Sequence, residues 1–154
     1  MLENKPNGFD EIPAAGQYLI DEDYTSSEKL VIAGGSNGGL LTGASLVQNL
    51  NLFGAAIVSD RVLGMLRYHK FTTGWAGVPE YGSSDDPEQF DDLRAYSPLH
   101  NVEDGPAYPA TLIITANTDD RVVPAHSYTF AARVQGHSVA MNRFCCAWNQ
   151  GRSR

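Results

Sequence analysis

Apolar positions fall along this chain in two patterns that alternate. Between residues 9 and 24, Phe9, Ile12, Ala15, Leu19 and Ile20 recur at the spacing of one helix face, and Asp10 stands where it can cap the start. Pro13 fits such a helix only within its first turn. Residues 29–33 (KLVIA), 53–58 (FGAAIV) and 110–115 (ATLIIT) are short, nearly unbroken apolar runs, the mark of strands buried on both faces. Residues 40–50 are apolar nearly all round and predict a buried helix. Asp86-Pro87-Glu88 combines an N-cap, a proline at the first helical position and an acid in the first turn, so a helix begins there and runs to about Arg94. Residues 125–134 predict a last helix. Between these lie a tight turn at 34–39 (GGSNGG), a mixed stretch at 61–70, a glycine- and aromatic-rich loop at 72–84, a long connection at 96–109 and a polar loop at 117–124. Apolar strands alternating with helices predict an α/β fold, a parallel sheet with helices on both faces. Three strands leave both sheet edges bare, which points to a partial domain.

Composition narrows the class. With 42% apolar and 19% charged residues the chain is globular in type, and a net charge of −7 argues against a nucleic-acid partner. No apolar run reaches membrane-spanning length, and the acidic start is unlike a secretion signal. The charge is unevenly spread. Residues 1–130 carry 7 basic and all 18 acidic side chains, while residues 131–154 carry four arginines (Arg133, Arg143, Arg152, Arg154) and no acid. Both cysteines, Cys145 and Cys146, lie in that last stretch. They are adjacent, unsuited to a mutual disulfide, and form no CxxC metal pair, so neither a metal nor another cofactor is called for. A cysteine-free body suits a reducing, cytoplasmic setting.

One motif carries chemistry. Gly34-Gly35-Ser36-Asn37-Gly38 reads G-x-S-x-G between a predicted strand and a predicted helix. In a nucleophile elbow the serine is held in a strained strand-to-helix turn. The glycines let strand and helix approach, and the backbone N–H of the next residue, Asn37, points at a developing oxyanion. A serine needs a base, and the base needs an orienting acid. In parallel α/β hydrolases the acid follows a later strand, and Asp119 and Asp120 stand just past residues 110–115; the other reading of an Asp-Asp pair is a solvated turn. The histidines fit the base poorly. His69 and His100 precede the acid, His126 is too close to it, and His137 falls in the basic stretch, so structural or surface roles suit all four.

The elbow GGSNGG, the stretch MLRYHKFTTGW, the run EYGSSDDPEQF, then AYSPLHNV and DDRVVPAHS resemble, in that order, the catalytic domain of the prolyl oligopeptidase (prolyl endopeptidase) family of serine peptidases. The likeness runs from about Phe9 to Val134. It implies a partial α/β-hydrolase fold whose early strands and C-terminal histidine segment are missing. It also implies Ser36 as nucleophile, the Asn37 N–H in the oxyanion hole and Asp119 as the acid. Arg121 then binds the substrate backbone beside the proline, and Val62, Tyr81 and Val122 line an apolar proline pocket. The implied partners are short proline-containing peptides, cleaved after proline through an acyl-enzyme. Nucleic acid and membrane are not implied.

Three departures from that family stand out. Its proline-stacking tryptophan aligns with Gly77, while Trp75 lies two residues earlier. An aromatic pair is worth about 0.5–1.5 kcal/mol beyond the area it buries. The Gly-His-Gly setting of its histidine is not found, and the tyrosine completing its oxyanion hole and its β-propeller are absent too. The expected organisation is a partial catalytic domain over residues 1–134. Residues 135–154 follow as a divergent basic tail outside the fold, as a reading-frame or gene-model error would produce. The isolated chain is then expected to be inactive for want of the histidine. Two alternatives stay open: another α/β hydrolase, such as an esterase or a dipeptidyl-peptidase relative, and a non-catalytic interaction protein on a dead hydrolase core.

Overall fold

The computed structural model describes residues 5–60, 62–139 and 144–149. Four parallel strands form one sheet, ordered as in the chain: β1 (Val31–Gly35), β2 (Ala55–Ser59), β3 (Ala110–Ala116) and β4 (Phe144–Asn149). The helices are α1 (Lys5–Asp21), α2 (Asn37–Gln48), the single turn α3 (Val78–Tyr81), α4 (Pro87–Ala95) and α5 (Ala125–His137). Short 3-10 turns occupy Tyr68–Lys70, Gly74–Gly77 and Pro98–Asn101.

Strands that advance in one direction with right-handed crossovers put their crossover helices on one face. The core follows from that. Ile32, Ala56, Val58 and Ile113 share a buried cluster with Leu46 and Val47 of α2 and Phe130, Ala131 and Val134 of α5. Leu46, Phe130 and Val134 are fully enclosed, and each such side chain contributes about 1.5–3 kcal/mol. The expected cover on both faces is met, among the described residues, on one face only: Val31 and Ala33 are exposed, and Ile57, Leu112 and Ile114 are half-buried. A second cluster joins α1, α2 and α4 through Phe9, Leu40, Ala44, Met65, Tyr68, Leu93 and Tyr96.

The three predicted strands form, each within two residues of its expected start. The Asp86 cap forms as well, its carboxylate accepting from the Glu88 N–H at 3.0 Å. Three expectations change. First, α1 starts at Lys5, so Asp10 lies inside it rather than capping it, and Pro13 sits in mid-helix. The ladder bond lost there is offset by tertiary packing: Phe9 stacks on Tyr96 at 5.1 Å, and Ile20 packs against the sheet-side core. Second, α2 begins at Asn37, so half of the glycine-rich turn is helical. Third, the sheet has a fourth strand. Residues 135–154 were expected outside the fold, yet α5 runs on to His137 and β4 pairs with β3 in register from Thr111↔Phe144 to Ala116↔Asn149. Cys146 packs against the core from this strand. Arg61, Arg143, Arg152 and Arg154 lie outside the described residues.

Candidate active site

At the carboxyl end of β1 the chain reverses into α2 through one residue. Ser36 has φ 52 and ψ −133, a region nearly closed to side chains other than glycine. It is exposed, and its side chain does not cap the helix. The turn is possible because Gly34 carries no Cβ: one placed there would lie 2.2 Å from the Gly38 carbonyl oxygen and 2.5 Å from Thr42 Oγ1. Gly38 itself faces open space, so of the two flanking glycines Gly34 permits the close approach. Thr42 Oγ1 donates to the Gly38 carbonyl at 2.9 Å and the Gly39 N–H to that of Ser36 at 3.0 Å, which fixes the first helical turn. As the first residue of α2, Asn37 presents a backbone N–H with no intrahelical acceptor.

The Asn37 side chain is held from outside the elbow. The Tyr81 hydroxyl donates to Asn37 Oδ1 at 2.5 Å, and Asn37 Nδ2 donates to Glu80 Oε1 at 3.4 Å. Tyr81 in turn meets Tyr68 edge-on at 5.9 Å. Tyr68 is buried, its hydroxyl donates to the Gly82 carbonyl at 2.6 Å, and burial, with Tyr81 and Glu80 nearby, pushes its pKa up to about 12.

Asp119 follows β3. Register places Gly35 level with Ser59 and Ser59 level with Ile114, so Ser36 and Asp119 both leave the carboxyl ends of strands two places apart, roughly 10 Å across the sheet. That edge is where parallel α/β sheets bind their ligands. Asp119 is buried, and its Oδ1 accepts from the N–H groups of Arg121 at 2.8 Å and Val122 at 3.0 Å. Asp120 is exposed. Sequence left the pair as acid or turn; Asp119 turns the loop and is the enclosed member. Arg121 is exposed, and its carbonyl accepts from Thr72 Oγ1 at 3.0 Å and Thr73 Oγ1 at 3.2 Å.

Val62 and Tyr81 pack against the same buried cluster, while Val122 stands on the acid loop. Gly77 backs onto two rings: a Cβ there would lie 3.1 Å from Tyr68 and 3.2 Å from Tyr81, and Trp75 points outward, 68% exposed. The four histidines are engaged elsewhere. His69 Nε2 meets Asp85 Oδ2 at 3.1 Å, and His100 Nδ1 meets Ser97 Oγ at 2.6 Å. His126 is buried edge-on against Phe71 at 5.4 Å, and His137 pairs with Asp104 and Arg133. Burial, with Arg94 and Arg133 nearby, lowers the pKa of His100.

Sequence reasoning gave no role to Tyr68, Thr72, Thr73 or Glu80, although all four lie in or beside the stretches that carry the family likeness. Their contacts with Tyr81, Arg121 and Asn37 are made in space and leave no local signature.

Residues 1–148 match the profile of the prolyl oligopeptidase family. The prolyl endopeptidase of Dictyostelium discoideum is 48% identical over 134 residues, 86% of this chain and 18% of its own. A solved prolyl endopeptidase superposes with a TM-score of 0.91 at 43% identity, over 95% of this chain and 22% of its own. Prolyl oligopeptidase B from Galerina marginata, solved bound to a 35mer hydrolysis and macrocyclization substrate, superposes at 0.85 with 44% identity, over 88% of this chain and 19% of its own. The chain spans about a fifth of the length of the curated relatives it matches.

Proposed function

The chain belongs to the prolyl oligopeptidase family, and on that premise we propose that it carries the nucleophile and acid of a serine peptidase that cleaves short peptides after proline. The carrying observation is the strained Ser36 at the same sheet edge as the buried Asp119. Ser36 Oγ attacks the scissile carbonyl carbon, and the carbonyl π pair settles on the carbonyl oxygen beside the Asn37 N–H. Collapse, with the proton lost from Oγ passed to the departing nitrogen, expels the amine and leaves an acyl-enzyme that water hydrolyses. Val62, Tyr81 and Val122 offer apolar and aromatic surface to a proline ring, which has no N–H to satisfy, and Arg121 supplies donors for the neighbouring peptide carbonyls.

The proton leaving Ser36 needs a base, and each described histidine is held elsewhere. Turnover by the 154-residue chain is therefore expected to be very low, since losing the base costs roughly a millionfold in a comparable triad. Binding tests the site without needing the base. A Gly-Pro amide, followed by isothermal titration calorimetry, is expected to bind at least tenfold more tightly than the matching Gly-Ala amide and to lose affinity in Arg121→Ala. Equal affinities for the two amides, or no effect of Arg121→Ala, overturn the reading. The esterase alternative draws on Gly77, which places no ring beside Tyr81; Ser36-dependent hydrolysis of small esters in preference to prolyl amides would favour it.

A further inference from the structure

Between the two candidate loops lies a segment that touches both. Residues 68–82 reach the elbow through Tyr81, whose hydroxyl holds Asn37 Oδ1, with Glu80 accepting from the same amide. They reach the acid loop through Thr72 and Thr73, whose hydroxyls converge on the Arg121 carbonyl. The span between these ends is braced. The Tyr68 hydroxyl closes the segment onto the Gly82 carbonyl, and the Tyr68 ring abuts Tyr81. Gly74 folds so close that a Cβ would sit 2.0 Å from the Tyr68 carbonyl oxygen, and its N–H donates to Phe71 at 2.8 Å. From outside the segment, Asp85 meets both His69 and Lys70, and the Tyr96 hydroxyl donates to the Tyr81 carbonyl at 3.5 Å.

Thr72 supplies a second observation. It is β-branched and held at φ 38, a conformation such residues avoid. Strain persists only where its surroundings over-determine it. Of the four non-glycine residues at positive φ among the described residues, Asp23, Ser36, Asp60 and Thr72, Ser36 forms the elbow and Thr72 makes the contact to the acid loop.

We infer that residues 68–82 act as a strap that sets the spacing between the Ser36 elbow and the Asp119 loop, with Tyr81, Thr72 and Thr73 as its positioning residues. Tyr81 then has two jobs: its ring would line the proposed proline pocket, and its hydroxyl steadies the residue that offers the oxyanion donor. A bulkier side chain at Gly77 would press on Tyr68 and Tyr81 together and so reach the elbow through the strap.

The inference rests on reading Ser36 and Asp119 as partners in one reaction, but its test needs no turnover, so the two can fail separately. Amide hydrogen exchange is followed in the full chain, in Tyr81→Phe and in the double variant Thr72→Val/Thr73→Val. The reporters are residues 39–41 at the elbow, the Arg121 and Val122 N–H groups bonded to Asp119, and β2 as a core reference. Tyr81→Phe is expected to speed exchange about fivefold at the elbow, the factor one hydrogen bond commands, and also measurably at Arg121 and Val122, with β2 unchanged. The threonine variant gives the mirror result, and it carries the test alone if Tyr81→Phe fails to fold. Acceleration confined to the loop whose contact was cut overturns the strap, and so does a uniform rise that includes β2.

Discussion

Replacing Ser36 by glycine should make this protein more stable than replacing it by alanine. The two variants differ in one methyl group, and the difference reads the strain stored in the elbow. At φ 52 and ψ −133 a residue with a Cβ is held at a cost of about 1–3 kcal/mol. Alanine keeps that Cβ and the cost; its lost hydroxyl makes no helix-capping bond, so Ser36→Ala should stay close to the parent. Glycine removes the strain but gives the unfolded chain extra freedom, which costs about 0.4–1 kcal/mol. The net advantage of Ser36→Gly over Ser36→Ala is about 0.5–2 kcal/mol. For a chain of 154 residues that is a rise in Tm of about 2–6 °C. Paired guanidinium titrations and thermal melts of the two variants check it, the slope m being required to match. A glycine variant no more stable than the alanine variant would refute the strain reasoning, and with it the view that Ser36 is held for its chemistry at the expense of stability.

Two further outcomes follow from the packing. Tyr108 is fully buried, its hydroxyl accepting from the Glu103 N–H at 2.7 Å and donating to the Glu103 carbonyl at 3.2 Å; Tyr108→Phe should cost about 1–2 kcal/mol, seen as a lower urea midpoint at unchanged m. Burial raises the pKa of Tyr68 to about 12 and raises those of Tyr96 and Tyr108 as well, so the folded state holds these protons more tightly than the unfolded one. Their contribution is whole below about pH 10 and is lost as pH climbs from there through the folded-state values. Phenolate absorbance should show these three ionising together with unfolding, and early ionisation of Tyr68 in the native state would count against its enclosure.

What could be read from sequence is what local pattern encodes. The three apolar runs became strands, and Asp86-Pro87 became a capped helix start, because each signal lies within a few residues. The elbow was legible for the same reason: strand, glycines, serine and helix are contiguous. Strand β4 was not, since FCCAWN follows a change in composition and is held by pairing with β3, more than thirty residues earlier. Pro13 misled because its cost is local while its compensation, Phe9 on Tyr96, spans most of the domain. The hold of Tyr81 on Asn37 joins residues 44 apart with no periodicity to announce it.

The sequential order of the strands bears on how the molecule assembles. Closing β1 onto β2 brings together Val31 and Ala55, 24 residues apart, while closing β2 onto β3 brings together Ala55 and Ala110, 55 apart. The longer closure costs about 0.7 kcal/mol more chain entropy. By closure entropy alone the β1–α2–β2 unit, with its strained serine, costs less to form, and the strand that delivers Asp119 costs more. The two halves of the site become neighbours only when β3 joins the sheet.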